Sequence, residues 1–213
     1  MNKTATLISI VIFGLSSCFL FGQDFLCYDR NQIETQINEM RKKYAGPEYS
    51  AVASSEAFKN VILFLQNPTK YFGAIKNIPH VQSYISLYGT YLNETHKLNG
   101  LLIGVFLDKH FSTIDEERVP ILTFLLLNCS QGVFGELTTW YYIDLFASNP
   151  QLFIQDLKKR SGWREVVDNL VPFDSGKFKE SMKKLGASDF EKQFKNYVSS
   201  RYEFYEKRFD ALS

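Results

Sequence analysis

The chain is poor in the residues that carry most recognisable chemistry. Among 213 residues there are only three His, three Cys, three Met and two Trp. The histidines are His80, His96 and His110. None has a companion at the i, i+3 or i+4 spacing that puts two metal ligands on one helix face. Glu94 and His96 are two positions apart and would point to different sides of a helix. That excludes the common helix-borne zinc sites, and the cysteines show no CxxC spacing. There is no nucleophile elbow, Walker A loop or GxGxxG fingerprint. Asp115-Glu116-Glu117 lacks the alternating ligands and turn glycine of an EF-hand. No cofactor and no metal are therefore expected.

Charge of one sign is missing too. Lys and Arg number 24 against 23 Asp and Glu. Nucleic-acid binding rests on phosphate neutralisation and leaves a basic footprint, which this chain lacks. A polybasic signal for an anionic membrane surface is also absent. Val119–Cys129 is very apolar but too short to cross a bilayer, so it reads as a central helix covered on every side.

Aromatic side chains are abundant, with 19 Phe and 12 Tyr, and 45% of the residues are hydrophobic. Such a composition excludes a disordered chain, which would lack the apolar surface to offset chain entropy. Most of these rings are expected in helix–helix contacts, and some in a ligand groove or binding face.

The first 22 residues have the order of a secretory signal. Asn2-Lys3-Thr4 is a short positive start, Ala5–Leu15 is apolar, and a second apolar piece, Phe19-Leu20-Phe21-Gly22, precedes Gln23-Asp24. Cleavage after Gly22 would remove Lys3 and leave the body neutral. The ending Leu20-Phe21-Gly22-Gln23 resembles signal ends common in secreted proteins of Bacteroidetes. Leu15-Ser16-Ser17-Cys18 resembles the lipobox of bacterial lipoproteins, which would make Cys18 an acylated first residue, although the apolar Phe19-Leu20-Phe21 differs from the usual polar tether. The chain is thus expected to be exported, periplasmic or secreted, with a lipid anchor at Cys18 as the alternative and the only membrane attachment.

After cleavage at Gly22, Cys27 and Cys129 remain. An oxidising compartment permits a bridge between them. It would close a loop of ~100 residues and contribute up to about 4.7 kcal/mol in the chain-entropy model. The competing reading is a buried free thiol, because Cys129 follows Phe124-Leu125-Leu126-Leu127. A reactive thiolate paired with His96 or His110 would instead need an electropositive, partly exposed site.

Apolar residues recur at helical spacing through the rest of the chain, residues 23–213, and strand-like alternation is scarce. The spacing predicts helices over about 31–44, 55–67, 68–76, 79–92, 95–110, 119–129, 136–148, 150–160, 163–170, 178–185 and 189–212. Thr113 is the expected cap before Val119, with Asp115, Glu116 and Glu117 in the first turn. Ser188 is the expected cap of the last helix. The fold class is all-α, a single domain of stacked antiparallel helix pairs, arranged as a short α-α superhelix or an irregular helical bundle.

One segment echoes another. Val61–Tyr71 and Ile143–Phe153 both read as helix, Asn-Pro corner, helix, with Leu63/Leu145, Phe64/Phe146, Tyr71/Phe153 and Ile75/Leu157 in register. The offset of 82 residues is twice a period near 40, that of two-helix solenoid repeats. The region resembles HEAT/armadillo-like α-α superhelices, which implies a short superhelix with a groove or helix face for a partner.

In the last helix Phe190, Phe194, Tyr197, Tyr202, Phe204, Tyr205 and Phe209 alternate with basic residues, and Glu191, Glu203, Glu206 and Asp210 cancel the charge. One aromatic stripe is expected to dock on the body. Trp140, Tyr141, Tyr202 and Tyr205 are the candidate interaction face. The functional expectation is a non-enzymatic envelope protein that binds a polypeptide. The alternatives are a helical carrier of an apolar small molecule and an enzyme whose site is assembled from distant residues.

Overall fold

A computed structural model describes residues 30–43, 55–96, 101–129 and 132–210. The described residues form α-helices and short 3-10 turns with no strand, so the all-α expectation holds. The helices are α1 (Arg30–Lys43), α2 (Ser55–Gln66), α3 (Pro68–Ile75), α4 (Val81–His96), α5 (Leu101–Phe111) and α6 (Arg118–Asn128). There follow α7 (Gly132–Ser148), α8 (Pro150–Leu157), α9 (Trp163–Leu170), α10 (Lys177–Ser181) and α11 (Asp189–Asp210). Met1 to Asp29, with Cys18 and Cys27, lie outside the described residues.

The two Asn-Pro corners fold alike. In both, Pro takes the first helical position, where its missing N–H costs nothing. Asn67 N donates to Leu63 O and Asn149 N to Leu145 O, each at 3.0 Å. Further on, Lys76 N bonds Phe72 O and Lys158 N bonds Ile154 O, and Ile78 N to Ile75 O matches Arg160 N to Leu157 O. Every one of these pairs is related by the same 82-residue shift.

The likeness runs on into the next helix. Val81 and Trp163 are both buried first residues, and the inner faces Tyr84, Ile85, Tyr88 and Val166, Val167, Leu170 correspond position by position. The packing corresponds as well: α2 packs on α3 and α4, and α7 packs on α8 and α9. The first of these segments, α2–α4 (the first copy), joins the second, α7–α9 (the second copy), through α6: α3 packs on α6, and α6 packs on α7, α8 and α9.

α6 is the innermost rod. Val119, Ile121, Leu122, Thr123, Leu125 and Leu126 are all buried, and it packs against α3, α7, α8 and α9. Its start differs from the sequence expectation. Asp115 Oδ1, not Thr113, accepts the N–H groups of Glu117 (3.1 Å) and Arg118 (2.8 Å), so the acidic triplet precedes the helix. Two other boundaries also move: α4 runs on to His96, and α7 already includes Gly132.

The last helix opens with a capping box, in which Ser188 and Glu191 hold each other's backbone end. Glu191 accepts from Ser188 Oγ (2.6 Å), Ser188 N (3.0 Å), Gly186 N (2.8 Å) and Gln151 Nε2 (3.1 Å). These donors, the Ser188 hydroxyl first, hold its carboxyl down at about 2. A Cβ at Gly186 would stand 2.9 Å from Glu191 Oε2, so a side chain there would push the carboxylate aside.

Candidate functional site

Three places combine polar chemistry with exposure or buried charge. The first is a groove along α4. Gln82, Ser86 and Thr90 follow one another at i, i+4 spacing on its outer side, with Ser83 and Leu87 beside them. Cys129 and Phe134 form the opposite wall, and the cavity measures about 310 Å³. No charged side chain is among these lining residues. The opposite side of α4 is fixed to α1. Tyr88 Oη donates to Gln36 Oε1 (2.9 Å), Tyr91 Oη donates to Glu39 Oε2 (2.5 Å), and Lys43 pairs with Glu94 (2.6 Å). The groove therefore has a firm back wall and a neutral, hydroxyl- and amide-bearing lip.

The second place is the outer face of α11. Phe194 and Val198 are buried against the body, and Phe194 packs on Phe146, Phe178 and Trp163. Towards the C-terminal end the same helix emerges from the core. Phe204 is 47% exposed, and the Arg201 guanidinium lies over both the Phe204 ring (4.8 Å) and the Tyr205 ring (5.4 Å). Arg201 Nε stands 2.7 Å from Asp168 Oδ1, an ion pair whose N–H is not aimed at the oxygen. The Tyr197 hydroxyl bonds the Asp168 carboxylate at 3.1 Å, and Arg164 stacks on Trp163 (4.7 Å) and Tyr197 (5.5 Å). Desolvation and the neighbouring carboxylate push the Tyr197 phenol upward. The Tyr202 hydroxyl donates to Asp174, with the same effect.

The third place is internal. Thr123 Oγ1 lies 3.1 Å from Asp156 Oδ2 and 3.4 Å from the Tyr142 hydroxyl. Asp156 accepts two bonds from Arg160, at 2.7 and 3.2 Å, and Arg160 also donates to Pro120 O. Each member has its partner, so the network clamps α6, α7 and α8 together. Burial keeps the Tyr142 phenol protonated.

The residues singled out from sequence fall as follows. Trp140 is 37% exposed on α7. Tyr141 is half-buried, and burial with Asp108 and Asp144 nearby pushes its phenol up to about 12. Tyr202 and Tyr205 are half-buried on α11. No ring contact among the described residues joins the α7 pair to the α11 pair. Cys129 is a buried free thiol, pushed up to about 12 by burial. Its proposed partner Cys27 lies outside the described residues.

His110 packs on Phe106 (5.2 Å) and is held down at about 4 by burial and by Lys109 and Arg118. No hydrogen bond or ion pair among the described residues joins His80 or His110 to a carboxylate or to Cys129. The side chain of His96 is outside the described set. Among the described residues no group of three or more His, Cys, Asp or Glu could hold a metal ion, and no helix is long and apolar enough to cross a membrane.

Sequence reasoning passed over Gln82, Ser86 and Thr90, and also Arg164, Asp168 and the 47%-exposed Phe173. The one available signal was the i, i+4 run of small polar residues on an aromatic-rich helix. Compared with protein-family models, with curated proteins and with solved structures, the chain matches none.

Proposed function

We propose that the protein is a non-enzymatic, exported helical protein that holds a polypeptide partner of the cell envelope. The observation that carries this reading is the end of α11. Phe204 stands 47% exposed beside Tyr205, with the Arg201 guanidinium over both rings. An aromatic pair with an arginine is the composition of interface anchors rather than of ordinary surface. Export rests on the order of residues 1–22, with acylation at Cys18 as its alternative. The stacking of helix pairs as a short HEAT/armadillo-like superhelix belongs to the same proposal.

The test is a photo-crosslinking residue placed at position 204, with position 203 as the control on another side of the helix. A discrete product from 204 that is missing from 203 is expected in cells that make the protein. The same pattern from both positions, or none from either, overturns the reading. Intact mass of the envelope-derived protein checks export. A chain starting at Gln23, or at a lipidated Cys18, supports it, and one retaining Met1 does not.

The groove along α4 favours a second reading, a carrier of a small neutral molecule. Its lining mixes hydroxyls and an amide with Ile85, Leu87 and Phe134, so the ligand would be amphiphilic rather than purely apolar. Native mass spectrometry that finds no co-purified or added ligand removes it.

A further inference from the structure

The 82-residue correspondence assigns counterparts to the groove residues. Gln82 corresponds to Arg164 and Ser86 to Asp168. In the second copy both of these hold the last helix. Arg164 stacks on Tyr197, and Asp168 takes the Tyr197 hydroxyl and pairs with Arg201. So the outer side of α9 is a seat for an aromatic helix. In the first copy the same side of α4 borders a groove. Thr90 Oγ1 donates to the Ser86 carbonyl (3.1 Å), and no hydrogen bond among the described residues engages the side chain of Gln82 or Ser86. The backbones of the two seats agree, from the Asn-Pro corner through the buried faces of α4 and α9.

We propose that the groove along α4 receives a helical segment of a polypeptide partner, much as α9 receives α11. The chemistry of the seat defines that segment. It carries an aromatic side chain, which Ile85, Leu87 and Phe134 accommodate. Its tip is a hydroxyl or amide group, which Gln82, Ser83, Ser86 and Thr90 can bond. It need not be charged, because the Arg–Asp pair of the second seat is replaced here by Gln and Ser. Binding therefore depends little on salt. The site is built from other elements than the exposed end of α11, and the inference stands or falls apart from that face.

The test uses the full chain and, as probe, a synthetic peptide with the sequence of Asp189–Asp210 bearing a photo-crosslinker at the Tyr197 position. Crosslinks to the segment 82–90 are expected, with affinity changing by less than about twofold between low and high salt. Q82R/S86D recreates the second seat and should tighten binding about tenfold, because the Tyr197 and Arg201 partners return. Ser86→Trp fills the groove from an exposed position and should abolish the crosslink while leaving the circular-dichroism spectrum unchanged. The inference is overturned if neither the natural chain nor Q82R/S86D binds the peptide. It is overturned equally if Ser86→Trp binds as before, if the crosslinks map elsewhere, or if a small neutral molecule occupies the groove and excludes the peptide.

Discussion

Burial sets one side chain of this protein and hydrogen bonding another, and both contribute to its response to acid. His110 is kept neutral in the fold, with a pKa near 4 against an ordinary 6.5. Burial is the main cause, and Lys109 and Arg118 add repulsion. The unfolded chain therefore takes up a proton that the fold refuses as the pH drops from about 6.5 to 4. The stability associated with a neutral His110 is present above that window and lost through it. Glu191 acts lower down. Its carboxylate is held at about 2, so its contribution is present above about 4.5 and lost as the pH falls towards 2. We expect the urea midpoint to fall in two overlapping stages. His110→Gln should flatten the upper stage and Glu191→Gln the lower. A His110 ring proton that titrates by NMR near 6.5 rather than near 4 would remove the burial argument.

At the scale of elements, the two Asn-Pro corners offer an internal control. Both share backbone geometry, yet only one is capped by its side chain. Asn67 Oδ1 accepts from Lys70 N at 3.2 Å and from Thr69 Oγ1 at 3.1 Å, whereas Asn149 makes no side-chain cap bond. Asn67→Ala should cost about 1 kcal/mol, the ordinary value of an N-cap. Asn149→Ala should cost less than about 0.5 kcal/mol, since only weak surface effects remain. Equal losses in denaturant titrations would mean that the corner conformation, not the cap, sets the stability.

These corners were legible in the sequence because Asn-Pro is a local instruction. Trp163–Leu170 was legible to the residue because Gly162 precedes it and Pro172 follows it. The bounds of α4 and α5 were legible less well: the spacing ends one helix at 92 and opens the next at 95, whereas α4 runs to His96 and α5 is described from Leu101. The sequence points to Thr113 as the cap of α6 where Asp115 accepts the end N–H groups, since both residue types favour that role. The groove was hidden for a different reason. Gln82 and Ser86 look like any outer-face residues until α9 and α11 show what that face does in the second copy.

For the molecule as a whole, the question is whether the two similar segments, α2–α4 and α7–α9, the two copies, behave as two units. The buried apolar residues form one cluster from Ile33 on α1 to Val198 on α11. The seam between the copies is part of it and runs through α6: α3 packs on α6, with Phe72 against Phe124 at 5.4 Å, and α6 packs on α7, α8 and α9. Phe64 of the first copy reaches Phe106 of α5, which in turn contacts Phe134 of α7. Separating the copies would expose these rings to water at ~25 cal/mol per Å² of apolar surface. That cost opposes partial unfolding even though each copy has a packed helix pair of its own, α2 with α3 and α7 with α8. We therefore expect one cooperative transition. Far-ultraviolet circular dichroism reports on all helices, while Trp140 and Trp163 fluorescence reports on the second copy alone. Their denaturation curves should coincide. A fluorescence transition displaced from the dichroism transition would mean that the seam is weaker than its aromatic packing implies and that the copies unfold separately.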